Sequence, residues 1–281
     1  MKVAVYRTPT SIQIAEAFAK GAEQCGDKAI IYDEYKGLTG EDVVAFYGMS
    51  PEHTQCVKDM TAIGRPSVIA DLGYFGRSKT QSAAYYKISV NDNHPTAFFQ
   101  NIKHSSDRFN IFGIKVEPMR KRGNYILFAG IGPKSSVLYN IEHQSWDQWA
   151  ISELNKYTKI PIYYRAKPNH AEKFKQIAGS IWSDPTRPLE SLLNDAWAVV
   201  TRHSNVAVDG IIRGVPCFAI DGVATKIGLT DLSQINTPRY PSYKEQLQFC
   251  YDLAYTQWTL SEVSEGKLWK HLKSEKLLRI P

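Results

Sequence analysis

The stretch Ala198-Val199-Val200-Thr201-Arg202-His203-Ser204-Asn205, followed by Val208-Asp209-Gly210 and closed by Gly214-Val215-Pro216, decides the fold. Its apolar, β-branched start reads as a buried strand. Small polar residues interrupt it, a helical pattern over 205–213 follows, and residues 215–220 (VPCFAI) read as a second strand. Strand, helix and strand in so short a span make a βαβ half-unit with parallel strands. Ser204 or Asn205 is placed to cap the helix, leaving the other N–H groups of its first turn facing whatever lies above the sheet. Ligands of open α/β sheets bind beyond the carboxyl ends of the strands, and the helix dipole would stabilise a diphosphate there. The bland alternative is a capped strand–helix turn. Arg202-His203 and the Gly-Val-Pro turn weigh towards a ligand site built from Thr201, His203, Ser204 and Asn205.

The same alternation extends to both sides. Upstream, strands are expected at 125–129, 160–164 and 197–201, with helices at 146–157, 170–178 and 189–195. Near the N-terminus, strands are expected at 2–6, 28–32, 43–47 and 67–70. Ile12, Ala15, Phe18, Ala19 and Ala22 recur at helical spacing before Gly26, and 51–63 reads as another helix. Residues 71–116 are less regular and read as loops with short elements. Helices at 243–255 and 261–277 close the chain. The basic segment Arg120-Lys121-Arg122 looks like a hinge. The expected fold class is therefore α/β, with two Rossmann-like domains facing a cleft. Residues 1–119 would form an acceptor domain, 120–264 a nucleotide domain, and 265–281 a helix crossing back to the first.

Composition narrows the function classes. The chain has 281 residues, a formal net charge of +6 and 43% hydrophobic residues. It lacks a long apolar run and an N-terminal leader pattern, so the expectation is a cytoplasmic protein without a membrane partner, in host cytoplasm if phage-encoded. The four cysteines are scattered and read as reduced thiols. The basic balance favours polyanionic partners. No HxxxH, HExxH or Asp-x-Asp pattern occurs, so no metal site and no cofactor are expected.

Two further loops follow strands of the second domain. In Gly130-Ile131-Gly132-Pro133-Lys134-Ser135-Ser136, glycine permits close backbone approach to a phosphate, and Lys134 and Ser135 can bind one. In Arg165-Ala166-Lys167-Pro168, two cations offset diphosphate charge. Arg187 lies on a third loop. Each is also compatible with an ordinary turn. In the first domain, Asp71-Leu72-Gly73-Tyr74-Phe75-Gly76-Arg77 follows the strand expected at 67–70, and Asn91-Asp92-Asn93-His94 lies in the less regular stretch.

The run VVTRHSNVAVDGIIRGVPCFAI resembles the donor-binding segment of GT-B glycosyltransferases, most closely the capsule-polysaccharide and phage DNA-modifying branches. UDP-sugar epimerases share the same half-unit. Arg165-Ala166-Lys167-Pro168 is similar to the Arg-Pro-His-Pro turn of the capsule type, with Lys167 where those have His. The resemblance implies a nucleotide-sugar donor, expected to be a UDP-sugar, held by the second domain without a metal ion. Gly130, Gly132, Lys134, Ser135, Arg165, Lys167, Arg187, Thr201, His203, Ser204 and Asn205 would contribute. It implies an acceptor held by the first domain through Tyr74, Arg77, Asn91 and His94. Asp71 would be the general base, since inverting transfer must deprotonate the acceptor hydroxyl; Asp92 and His94 are rival bases. The expected acceptor is a hydroxymethylated base in double-stranded DNA. Alternatives are a capsule-type glycan transferase, a UDP-sugar epimerase and a non-catalytic nucleic-acid-binding protein.

Overall fold

The computed structural model describes residues 1–78, 80–99 and 103–279. In chain order the elements are β1 (Lys2–Tyr6), α1 (Ile12–Glu23), β2 (Lys28–Tyr32), β3 (Val43–Tyr47), α2 (Pro51–Ala62), β4 (Ser67–Leu72), β5 (Tyr85–Val90), α3 (Asp107–Asn110), β6 (Tyr125–Ala129), α4 (Pro133–Leu138) and α5 (Ser145–Tyr157). There follow β7 (Ile162–Arg165), β8 (Ile181–Trp182), α6 (Leu189–Asn194), β9 (Ala196–Thr201), α7 (Val206–Ile212), β10 (Cys217–Ala219), α8 (Tyr243–Ala254), β11 (Gln257–Thr259), α9 (Leu260–Ser264) and α10 (Lys267–Ser274). Among the described residues no helix is long and apolar enough to cross a membrane.

The chain divides into two units. Unit 1 comprises Met1–Phe112 and the chain from Tyr251 onward; unit 2 is Gly113–Cys250. The junctions thus fall at 112/113 and 250/251, earlier than the 119/120 and 264/265 read from the sequence.

Unit 1 is built on a six-stranded sheet of order β11-β5-β4-β3-β1-β2. β1 pairs in parallel with β2 and β3, and β3 with β4. Along β1, Val3 and Val5 join a core containing Phe18, Val68 and Trp269, while Ala4 and Tyr6 join another containing Phe46, Met60 and Ile69. Burial of both faces explains why these strands read as continuous apolar runs rather than alternating ones. Phe18 is fully buried under the sheet; its truncation to alanine would cost about 3–5 kcal/mol.

The irregular reading of 71–116 needs correction. β5 lies within it and pairs antiparallel with β4, and β11 pairs antiparallel with β5. The sheet of unit 1 is therefore mixed. The C-terminal helix expected over 261–277 is two helices, because Gly266 takes φ +75° between α9 and α10. A capping box made by Thr259 and Glu262 opens α9.

Unit 2 has a five-stranded, all-parallel sheet of order β10-β9-β6-β7-β8. Ile126, Phe128, Ile151, Leu154, Val200 and Phe218 share its main core. The helix expected over 170–178 is only a 3-10 turn at Pro168–Lys173. Gly214 ends the α7 connection at φ +68°, and a side chain there would strike the Pro118 carbonyl. The Gly-Val-Pro turn is thus required by backbone packing.

Candidate functional site

The site in unit 2 grows from strand order. β6 lies between β9 and β7, and Ala129 is level with both Thr201 and Arg165. Three parallel strands therefore end together, and the loops after them leave from one edge. These loops carry the Gly130–Ser136, Arg165–Pro168 and Thr201–Asn205 sequences.

The β9 loop separates structural from available groups. Thr201 is buried; its Oγ1 donates to the Ala129 carbonyl at 2.9 Å and accepts from the Ser204 N–H at 3.3 Å. That hydroxyl ties β9 to β6 and is not placed as a ligand donor, contrary to the expectation for it. Ser204 Oγ accepts from the Val206 N–H at 3.3 Å, so Ser204 steadies the start of α7. Asn205 holds the N-cap position without a side-chain cap bond. His203 is half-buried, and its Nε2 lies 2.9 Å from Ser135 Oγ on the β6 loop. Arg202 lies over the Tyr139 ring at 4.9 Å, and the same ring is 5.1 Å from His203.

On the β6 loop the two glycines act differently from the expectation. A side chain at Gly130 would come within 2.7 Å of Asp147 Oδ2 and 2.8 Å of the Tyr164 ring. Its small size serves packing inside the unit rather than approach to a phosphate. Asp147 accepts from the Ile131 N–H at 3.1 Å and from the Tyr164 hydroxyl at 2.8 Å. Burial pushes the Asp147 carboxyl up to about 6, against the pull of those two hydrogen bonds. A side chain at Gly132 would meet Lys167 Cδ at 2.9 Å. Gly132 therefore lets the stem of Lys167 lie across the β6 loop, with its ammonium close to the Gly132 position. Lys134 is exposed on α4.

On the β7 loop, Arg165 is buried, and its Nη1 donates to the Asp184 carbonyl at 3.4 Å. Burial holds its guanidinium below the ordinary arginine range, and Asp184 opposes this. A buried guanidinium with so long a hydrogen bond retains donors for an anion. Arg187 is exposed on the β8–α6 connection, and its charge acts on Tyr125 at the amino end of β6. It does not join the three loops.

In unit 1, Asp71 lies within β4 rather than beyond it. Its Oδ1 accepts from the Leu72 N–H at 2.8 Å, and its Oδ2 is 3.7 Å from Lys87 Nζ. The side chain of Asp71 is 34% exposed and that of Lys87 only 6%. Burial drives the Lys87 ammonium below its usual range, and Asp71 opposes that drift. Lys87 also lies 5.7 Å from the Tyr74 ring centre. Tyr74 is buried and its N–H donates to Gln257 Oε1 at 2.7 Å, whereas Arg77 is exposed with its Nε donating to the Gly73 carbonyl.

Asn91 does not share a site with Asp71. β5 runs antiparallel, so Asn91 sits at the amino end of β4, where its side-chain carbonyl accepts from the Ser67 N–H at 2.7 Å. Its φ of +62° marks it as a turn residue. His94, on the same loop, is buried with its Nε2 3.5 Å from Asn93 Nδ2. Sequence reasoning missed Lys87, Asp147 and Tyr139. The first two carry a usable signal: a lone lysine in the strand YYKISV, and an aspartate between the apolar residues of WDQWA.

No protein-family model matches the sequence, and no curated protein does. Solved structures do. KpsC from Thermosulfurimonas dismutans, as a β-Kdo 2,4 transferase, aligns over 91% of this chain and 90% of that chain, with TM-score 0.53 and 12% identity. The β-Kdo 2,7 transferase of KpsC from the same organism aligns over 96% of this chain and 100% of that chain, with TM-score 0.51 and 13% identity. The fold is GT-B-like. A UDP-GlcNAc 2-epimerase from Methanocaldococcus jannaschii covers 98% of this chain at TM-score 0.34 and 11% identity, too low to bear on the GT-B assignment. In GT-B terms, unit 2 supplies a Rossmann-like sheet whose three central strands end in cation- and hydroxyl-bearing loops.

Proposed function

We propose that the chain is a nucleotide-sugar glycosyltransferase whose unit 2 holds the donor diphosphate. The convergence of the β6, β7 and β9 loops at one level of a parallel sheet carries this reading. Arg165 and Lys167 supply positive charge, and Ser135, His203 and Ser204 supply hydrogen-bonding groups. A UDP-sugar is the donor we expect, and no added Mg²⁺ or Mn²⁺ is required in this reading because side-chain cations offset the charge. The likeness to the two KpsC transferases supports transfer to an acceptor rather than simple nucleotide binding.

In the proposed step, the acceptor hydroxyl oxygen attacks the anomeric carbon, and the bond from that carbon to the phosphate oxygen breaks. Asp71 takes the hydroxyl proton, and the nucleoside diphosphate leaves onto the cations of unit 2. Lys87 Nζ, 3.7 Å from Asp71 Oδ2, holds that carboxylate in place. The acceptor we propose is a hydroxymethylated base in DNA, a choice supported by the net charge of +6.

A panel of sugar nucleotides incubated with plain DNA, hydroxymethylated DNA and glycan acceptors, read by product mass, tests the proposal. Mass gain on hydroxymethylated DNA alone is the expected result. Gain on a glycan alone replaces the acceptor, conversion of the free donor to an epimer replaces the activity, and no turnover of any donor ends the enzyme reading.

A further inference from the structure

Unit 1 gathers a second set of chemistry-bearing side chains that the proposed transfer does not use. His104 lies shortly before α3, and His271 and Glu275 stand on and just after α10. Four residues apart on a helix, His271 and Glu275 share one face. One ring nitrogen from each histidine and one carboxylate oxygen of Glu275 all lie within 4.8 Å of one another.

His104 is held from behind. Asp252 Oδ1 accepts from its backbone N–H at 2.9 Å and lies 3.1 Å from its Nδ1. A carboxylate on one ring nitrogen fixes the ring, the arrangement found behind metal-binding histidines. The Nε2 so presented is 3.7 Å from Glu275 Oε1. Tetrahedral zinc, with bonds of about 2.1 Å, separates its ligand atoms by about 3.4 Å. The spacing is therefore close to what a shared cation needs, and modest side-chain rotation closes the rest.

His271 offers a compatible partner. Its Nε2 is buried and has no hydrogen-bond partner among the described residues. Aromatic walls orient both rings: Tyr255 stacks on His104 at 4.2 Å, while Trp258 and Phe98 flank His271 at 5.3 and 6.0 Å. Charge points the same way. The carboxylates of Asp252 and Glu275 both lie against His104, at 3.1 and 3.7 Å. One divalent cation offsets both.

We propose that His104, His271 and Glu275 bind a divalent cation of the zinc class, with Asp252 positioning His104. Three protein ligands leave one coordination position for water. The cation links the chain before α3 to the C-terminal helix, so its role is to fasten that helix within unit 1. The competing arrangement is His104 held between Asp252 and Glu275 with no metal.

The test uses the full chain after chelator treatment, titrated with Zn²⁺ by calorimetry and followed by thermal unfolding, with Co²⁺ as a spectroscopic probe. We expect one equivalent of Zn²⁺ to bind, the melting temperature to rise, and Co²⁺ to give a tetrahedral absorption spectrum. Glu275→Gln preserves shape at a helix end and should abolish stoichiometric binding while the chain stays folded by circular dichroism. Asp252→Asn should weaken binding by about 10–100-fold. Absence of stoichiometric binding to the wild-type chain overturns the proposal, as does binding that Glu275→Gln leaves unchanged.

Discussion

The two sheets treat their loops differently. In unit 2 every strand pair is parallel, so every loop following a strand emerges on one edge. Three loops far apart in sequence are thereby placed side by side. In unit 1 the parallel strands β2, β1, β3 and β4 are followed by β5, which runs antiparallel to β4, and by β11, which runs antiparallel to β5. The loop after β5 returns to the amino end of β4, which separates Asn91 from Asp71. A parallel sheet concentrates chemistry on one edge; an antiparallel addition distributes it over two.

The largest expected effect breaks or sharpens the role given to unit 1. Asp71→Asn should lower the transfer rate by about 10²–10⁴-fold, the usual contribution of a general base, while donor binding by calorimetry stays unchanged. Retention of rate would remove Asp71 as the base and leave unit 2 as the better-supported half.

A second test concerns the acid buried under the β6 loop. The Asp147 carboxyl is raised from 3.8 to about 6, so the folded chain binds more protons than the unfolded chain between those values. That contribution to stability is present at low pH and is lost as pH rises through about 6, amounting to about 3 kcal/mol. Asp147→Asn should therefore gain stability relative to wild type as pH rises from 4 to 6.5, measured as the difference in denaturation midpoint. A difference independent of pH would show that the carboxyl is not neutralised by burial.

Smaller effects separate the loops themselves. Lys167→Ala, which removes an exposed cation beside Gly132, should weaken donor binding by about tenfold, near the lower end for a charged hydrogen bond. Its effect on kcat for a saturating donor should be slight. Asn91→Ala should cost about 1 kcal/mol through the lost bond to Ser67 and the left-handed backbone, with transfer kinetics unchanged. A loss of acceptor affinity in that variant would place Asn91 back with the acceptor.

Much of unit 2 was legible because its signals are local. β6 and β9 are apolar enough to read as doubly buried strands, and polar residues mark their ends. What the residues at those ends do was less legible. Thr201 and Gly130 sit where a ligand site was expected, yet each is occupied by a neighbour: the Ala129 carbonyl for one, Asp147 and Tyr164 for the other. Residue type and position after a strand do not reveal which groups are already engaged. In unit 1, β5 was missed because YYKISV carries a charged residue at its centre, and the carboxylate of Asp71 offsets the charge of that lysine in a buried strand.

The sequence by itself determined the α/β class, the boundaries of most strands and the three loops rich in cations and hydroxyls. Strand and helix patterns repeat over a few residues, so burial of one or both faces leaves its mark in a short window. Only the tertiary structure decided which of those loops share an edge, that β5 runs antiparallel, that Lys87 meets Asp71, and that His104 meets His271 and Glu275. These are pairings between distant residues. They follow from strand order and from competition for burial across a whole unit, and no local window contains that information.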